Sequence, residues 1–132
     1  MIKGLSHITI IVRDLERTSK LFCEGLAAKE IYDSSKKNFS ISKEKFFLIG
    51  GVWVVAMEGV VTEKSYRHVA FKVELGDLPE LETRISSLGA TVVPSRSRVE
   101  GEGDSLYFYD YDNNFFELHT GTLEERLNKY KL

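Results

Sequence analysis

A single cysteine in 132 residues, Cys23, excludes an intrachain disulfide. It stands among Leu21, Phe22 and Leu26, the setting of a partly buried helical thiol rather than of a nucleophile. A basic excess is also lacking. The 18 Lys and Arg are set against 20 Asp and Glu, for a net charge of −2, and the two signs are mixed, without the cationic stripe that binding to a phosphate backbone needs. Nucleic acid is therefore not an expected partner. No run reaches the roughly twenty apolar residues of a membrane span, so no membrane association is expected either. Residues 1–6 show no charged stretch followed by an apolar core, and a cytoplasmic protein is expected.

What is present is an ordinary globular composition, 42% hydrophobic and 29% charged. The length suits one compact body or two tightly joined modules of about sixty residues each. A module of that size buries too little surface to be comfortable alone, so the two are expected to share a sheet, within the chain or across a dimer. A duplication is visible in the residues. His7 opens His7-Ile8-Thr9-Ile10-Ile11-Val12, followed by Asp14-Leu15, and His68 opens His68-Val69-Ala70-Phe71-Lys72-Val73, followed by Asp77-Leu78. Each histidine heads an apolar strand that feeds a helix. A twofold arrangement would bring the imidazoles together, and Glu117 on a neighbouring strand could complete a metal site. Two neutral imidazoles and one carboxylate hold a divalent metal with open positions, as Lewis-acid chemistry requires.

In the first unit a strand is predicted over 8–12, then a helix capped by Asp14 that turns Leu15, Phe22 and Leu26 inward and stops near Gly25. Strands follow over 30–33, 46–49 and 52–57, with Gly50-Gly51 as a turn, and a short extra run over 39–41. Residues 58–65 read as a linker. The second unit has a strand over 69–73 and a helix over 77–88, with Asp77 and Glu80 as a capping pair, Pro79 in the first turn and Gly89 at the end. Strands over 91–93, 105–109 and 115–119 complete it, the last two joined by the turn-rich Asp110-Tyr111-Asp112-Asn113-Asn114. Each unit is βαβββ, which divides the chain into modules 1–60 and 61–132 and gives an α+β class. Thr122-Leu123-Glu124-Glu125 is a capping box that starts a short C-terminal helix with Arg126 in its first two turns.

Paired βαβββ units of this kind resemble the vicinal oxygen chelate superfamily, whose modules curl a sheet around a metal. Within it, four segments narrow the match: Gly4-Leu5-Ser6-His7-Ile8-Thr9, Ser42-Lys43-Glu44-Lys45-Phe46-Phe47-Leu48-Ile49, Tyr66-Arg67-His68-Val69-Ala70-Phe71, and the run from Phe116-Glu117-Leu118-His119 to Glu124-Glu125-Arg126-Leu127. They are similar to the fosfomycin resistance proteins of the FosX type, over nearly the whole chain. The resemblance implies a module-swapped homodimer with His7, His68 and Glu117 as ligands of Mn2+, other divalent ions being possible. It implies Glu44 as the general base for a water molecule, Arg126 as the residue that binds the phosphonate of the substrate, and Tyr66, Tyr107, Ser105 and Thr9 as lining of the pocket. Read without it, Glu44 is one more charge in a solvated Lys43-Glu44-Lys45 loop. Tyr66 and Tyr107 are then half-buried strand aromatics, and Thr9 a residue facing the sheet interior.

Two ligand alternatives stay open. His119 shares a strand face with Glu117 by period-two alternation, as a rival ligand or as support for one. Glu58, at the end of a strand, matches the region where related glyoxalases donate a further carboxylate. The stretch 96–105 only partly matches the potassium loop of glutathione-transferring relatives, and Arg96 and Arg98 are either phosphonate contacts or solvated charges.

The expected activity is a Mn(II)-dependent hydrolase that opens the epoxide of fosfomycin with water to give a diol. The alternatives are a transferase that adds glutathione or another thiol to the drug, a non-catalytic drug-binding protein, and an iron-dependent ring-cleaving dioxygenase on the same fold.

Overall fold

The first strand of each unit lies beside that unit's last strand, so two four-stranded sheets repeat one order and one set of directions. In the computed structural model, which describes residues 1–35, 37, 40–94 and 100–131, β1 (Ile8–Val12) runs parallel to β4 (Val52–Glu58). Strand β4 pairs antiparallel with β3 (Glu44–Ile49), and β3 with β2 (Lys29–Asp33). In the second sheet β5 (His68–Lys72), β8 (Phe115–His119), β7 (Ser105–Tyr109) and β6 (Thr91–Val93) repeat that order. Helix α1 (Leu15–Lys20), continued by a π-helical turn Leu21–Gly25, joins β1 to β2. Helix α2 (Leu78–Ser87) joins β5 to β6, and α3 (Leu123–Tyr130) follows β8. The α+β class and the two βαβββ units are as expected. No helix among the described residues is long and apolar enough to cross a membrane.

Alternation along the strands splits each sheet into two faces. Ile10, Val12, Phe47, Ile49, Val54 and Ala56 from one face of the first sheet join Leu106, Phe108, Phe116 and Leu118 from the second in one continuous core. Phe22, in the π-helical turn, packs edge-on to Phe47 at 5.1 Å and to Phe116 at 6.0 Å, so one fully buried ring bridges both sheets. Truncating it to Ala would cost about 3–5 kcal/mol. Gly25 lets the helices approach, since a β-carbon there would stand 3.2 Å from the Leu88 side chain. At the edge, the turn after β7 grips β1: Asn114 Nδ2 donates to the Ile11 carbonyl at 2.9 Å, and Arg13 Nε pairs with Asp112 at 2.7 Å.

The caps show where local reading succeeds. Asp14 accepts from the Arg17 N–H at 3.1 Å, and both hydrogen bonds of the Thr122–Glu125 capping box form. Asp77 does not cap α2. Its backbone is already helical and it ends a 3₁₀ turn, Leu75–Asp77, so its carboxylate makes no capping bond. Strand β3 starts at Glu44, two residues before the expected 46, because Lys45 is held inside rather than solvated. Of the extra run over 39–41, Phe39 lies outside the described residues, and Ser40 and Ile41 form no strand.

Candidate active site

Because Phe116 and Leu118 enter the core, Phe115, Glu117 and His119 of β8 must face the other way, joined there by Ser105 and Tyr107 of β7 and His68 of β5. On this open face His68 Nε2 stands 2.9 Å from Glu117 Oε1. The other ring nitrogen, Nδ1, is 2.7 Å from the Tyr66 carbonyl. A carbonyl only accepts, so Nδ1 carries the proton. Nε2 then meets the carboxylate oxygen either as the second N–H of an imidazolium or, in the neutral ring, as a lone pair that a cation shared with Glu117 would take up. An imidazole nitrogen and a carboxylate oxygen, with the second N–H of the ring donated to a backbone carbonyl, fit a divalent metal of the Mn(II) or Zn(II) kind.

The second oxygen of Glu117 is also engaged. Ser105 Oγ donates to Oε2 at 2.5 Å and lies 2.7 Å from His119 Nδ1. Arg126 donates to His119 Nε2 at 3.1 Å. A guanidinium only donates, so the His119 proton sits on Nδ1 and the chain runs one way, from Arg126 through His119 and Ser105 to Glu117. Both ring nitrogens of His119 are thus used. Arg126 comes from the first turns of α3, set by the capping box, and its Nε lies 3.9 Å from the fully buried Glu102. Gly121 permits this closeness, since a β-carbon there would stand 2.7 Å from His119 Nε2 and 2.5 Å from the Glu102 carbonyl oxygen. Around His68, Tyr66, Tyr107 and Phe115 form an aromatic wall with ring centroids at 5.0, 5.7 and 5.6 Å.

The first sheet carries the rest of the expected residues on its own open face. His7 is exposed, its ring 4.3 Å from Trp53 and its Nδ1 3.0 Å from Ser6 Oγ. Thr9 is exposed beside it. The indole N–H of Trp53 is buried and, among the described residues, has no acceptor. Glu44, at 8% exposed, shares this face with Phe46, and among the described residues nothing donates a hydrogen bond to its carboxylate. Its neighbour Lys45 turns to the opposite side, where Glu16, Glu30 and Asp33 surround it. Of the Lys43-Glu44-Lys45 segment only Lys43 is solvated loop; Glu44 and Lys45 are buried strand residues.

His68, Glu117, Ser105, Tyr66, Tyr107 and Arg126 come together, whereas His7, Thr9 and Glu44 stay on the other sheet. Among the described residues no three His, Cys, Asp or Glu side chains converge on one point. The reason is packing: both sheets give their apolar faces to one core, so their open faces are separate surfaces. Glu58 lies in line with Val54 and Ala56, on the face opposite Trp53 and Val55, and so off the face that carries His7. Arg96 and Arg98 lie outside the described residues. Glu102 and Lys45 carry little signal in the sequence: the one stands between two glycines, and the other is a charge within a charged run.

No family model matches the chain. A curated relative, the fosfomycin resistance protein FosX of Listeria innocua, is 56% identical over 131 residues, which is 98% of each chain. The metallothiol transferase FosB of Shouchella clausii is 33% identical over 137 residues, 99% of this chain and 89% of that one. Among solved structures, a mutant of FosX from Listeria monocytogenes, complexed with Mn(II) and 1S,2S-dihydroxypropylphosphonic acid, superposes with a TM-score of 0.88 at 50% identity, covering 98% of this chain and 99% of that one.

Proposed function

The chain belongs to the fosfomycin resistance proteins of the FosX type, and from that premise we propose how its residues share the work of a Mn(II)-dependent hydrolase that opens the epoxide of fosfomycin with water to give a diol. The observation that carries this reading is the His68 Nε2 to Glu117 Oε1 approach at 2.9 Å, with the imidazole locked from behind by the Tyr66 carbonyl. His68 and Glu117 hold the metal from one copy, and His7 of a second copy completes the set. Modules 1–60 and 61–132 are the units exchanged in this homodimer. The exposed His7 ring and the unpartnered N–H of Trp53 support a face completed from outside the chain.

The bound metal supplies Lewis-acid polarisation of the oxirane carbon–oxygen bond. Everything else falls to side chains. Glu44 accepts a proton from the attacking water, and its unpartnered carboxylate beside Phe46 suits that task. Arg126 presents its planar fork to the phosphonate oxygens, steadied by Glu102 and His119. Tyr66, Tyr107, Ser105 and Thr9 line the rest of the substrate position. His119, with both nitrogens occupied, supports Glu117 through Ser105 and is not a ligand. The cytoplasm is the compartment assigned, where the free thiol of Cys23 stays reduced.

The test combines two inactive variants, His7→Ala and Glu117→Ala, unfolded and refolded together. In a swapped dimer every mixed pair rebuilds one intact site, so about a quarter of parental activity returns. No recovery would show that the ligands belong to a single copy. Phosphorus NMR of fosfomycin with the manganese-loaded protein adds the chemistry: diol without added thiol is expected, and a product that needs thiol overturns hydration.

A further inference from the structure

Glu44 is the first residue of β3, and the chain just before it, Ser40 to Ser42, bends without regular pairing. Strand ends are where local opening is least costly. A general base nevertheless has to stay within hydrogen-bond reach of the water it deprotonates. The structure holds this end by two devices. Ser34, itself buried, clamps the backbone: its N–H donates to the Glu44 carbonyl at 3.0 Å, and its Oγ accepts from the Glu44 N–H at 2.8 Å. The second device is the next side chain. Lys45 is 3% exposed, and its Nζ lies 2.9 Å from Glu16 of α1, 2.9 Å from Glu30 of β2 and 3.5 Å from Asp33 of β2. Ser19 Oγ donates to the same Glu30 oxygen at 2.6 Å.

Stability is a poor account of this cluster. Burying an ammonium is expensive, and apolar replacements of buried ion pairs are often neutral or better. Burial pulls the Lys45 ammonium down, but its hydrogen bonds to Glu16 and Glu30 and the charges of Glu30 and Asp33 outweigh it and hold it above the ordinary lysine range. It is therefore charged at any working pH. What such a cluster does specify is position. A four-carbon stem fastened to two neighbouring elements fixes the Lys45 backbone, and because consecutive strand residues point to opposite faces, it also fixes the direction of Glu44.

We infer that Lys45, together with Ser34, is a positioning residue for Glu44, holding the base in place from the opposite face of β3. This rests on the reading of Glu44 as the base. The experiment is a double-mutant cycle of Lys45→Met, which keeps the stem and removes the charge, with Glu44→Gln, all four proteins loaded with manganese. Lys45→Met is expected to lower kcat for hydration about ten- to a hundredfold, the usual scale of misplacing a catalytic group by about an ångström, with KM and manganese affinity by paramagnetic resonance within about twofold. On the Glu44→Gln background it should lower kcat no further. A parental kcat in folded, manganese-binding Lys45→Met overturns the inference, and so does an equal loss on both backgrounds, which is what a merely structural lysine would give. If Lys45→Met does not fold, Ser34→Ala takes its place in the same cycle with the same two outcomes. Failure of the base reading looks different: Glu44→Gln then hydrates fosfomycin like the parent, and the positioning role falls with it.

Discussion

Where the second sheet carries Glu117, Ser105 and Tyr107, the first carries Val55, Glu44 and Phe46 at the matching register positions. The match follows from the pairings: Thr9 lies opposite Val55 as Ala70 lies opposite Glu117, and Glu44 opposite Met57 as Ser105 opposite His119. Only the histidines are shared. The second face holds the carboxylate proposed as a metal ligand together with Ser105 and His119 beside it, and the first holds a carboxylate that, among the described residues, accepts no hydrogen bond. On the proposed roles, two copies of either face would be incomplete, one lacking the carboxylate for the metal and the other the base. The proposed site takes one of each, and in the proposed twofold dimer that pairing of unlike faces would be made twice.

The comparison breaks most sharply at Glu117. Glu117→Val makes the second face like the first, and manganese affinity measured by paramagnetic resonance should fall more than about a hundredfold, beyond the range typical of losing a group behind the ligands, with activity lost in parallel. His7→Ala should do the same although its residue lies on the other sheet. Unchanged affinity there would leave the metal to the second face alone.

Next in size is the loss of what the first face alone has. Glu44→Gln should reduce diol formation by about a hundred- to ten-thousandfold while calorimetric binding of manganese and fosfomycin stays near the parent. Hydration within about threefold of the parent would remove Glu44 as the base. Arg126→Ala probes the phosphonate end. It should raise KM by roughly ten- to a hundredfold, the worth of a charge-assisted hydrogen bond, and lower kcat less. An unchanged KM takes Arg126 out of the substrate site.

The smallest effect is expected at Thr122. Thr122→Ala removes the hydroxyl that accepts from the Glu125 N–H and should cost about 1 kcal/mol in urea denaturation. Because α3 presents Arg126, KM should rise slightly in the same variant. A stability loss with KM unmoved would mean that α3 keeps its place without its cap.

Much of this was legible in local sequence. Strand parity put Glu117 and His119 on one face, and the capping box placed Arg126, because both patterns depend on residues at most four apart. Asp77 misled for a related reason: a side chain able to cap does so only if its own backbone is extended, and the 3₁₀ turn before α2 had already made it helical. Lys45 was illegible because Glu16, Glu30 and Asp33, which make its burial tolerable, come from elements that only packing brings near.

The sequence by itself determined the two repeats, the histidine that heads each, and the family the chain belongs to, since these are written in spacing, alternation and motif. Tertiary structure decided which faces stay open. The pairing of β5 with β8 brings His68 to Glu117, and Phe22, by committing the apolar faces of both sheets to one core, leaves that face open and His7 on a separate surface. The physical reason is that alternation assigns a side chain to a face of its own strand, whereas the meeting of two faces is settled by contacts between residues far apart in the chain.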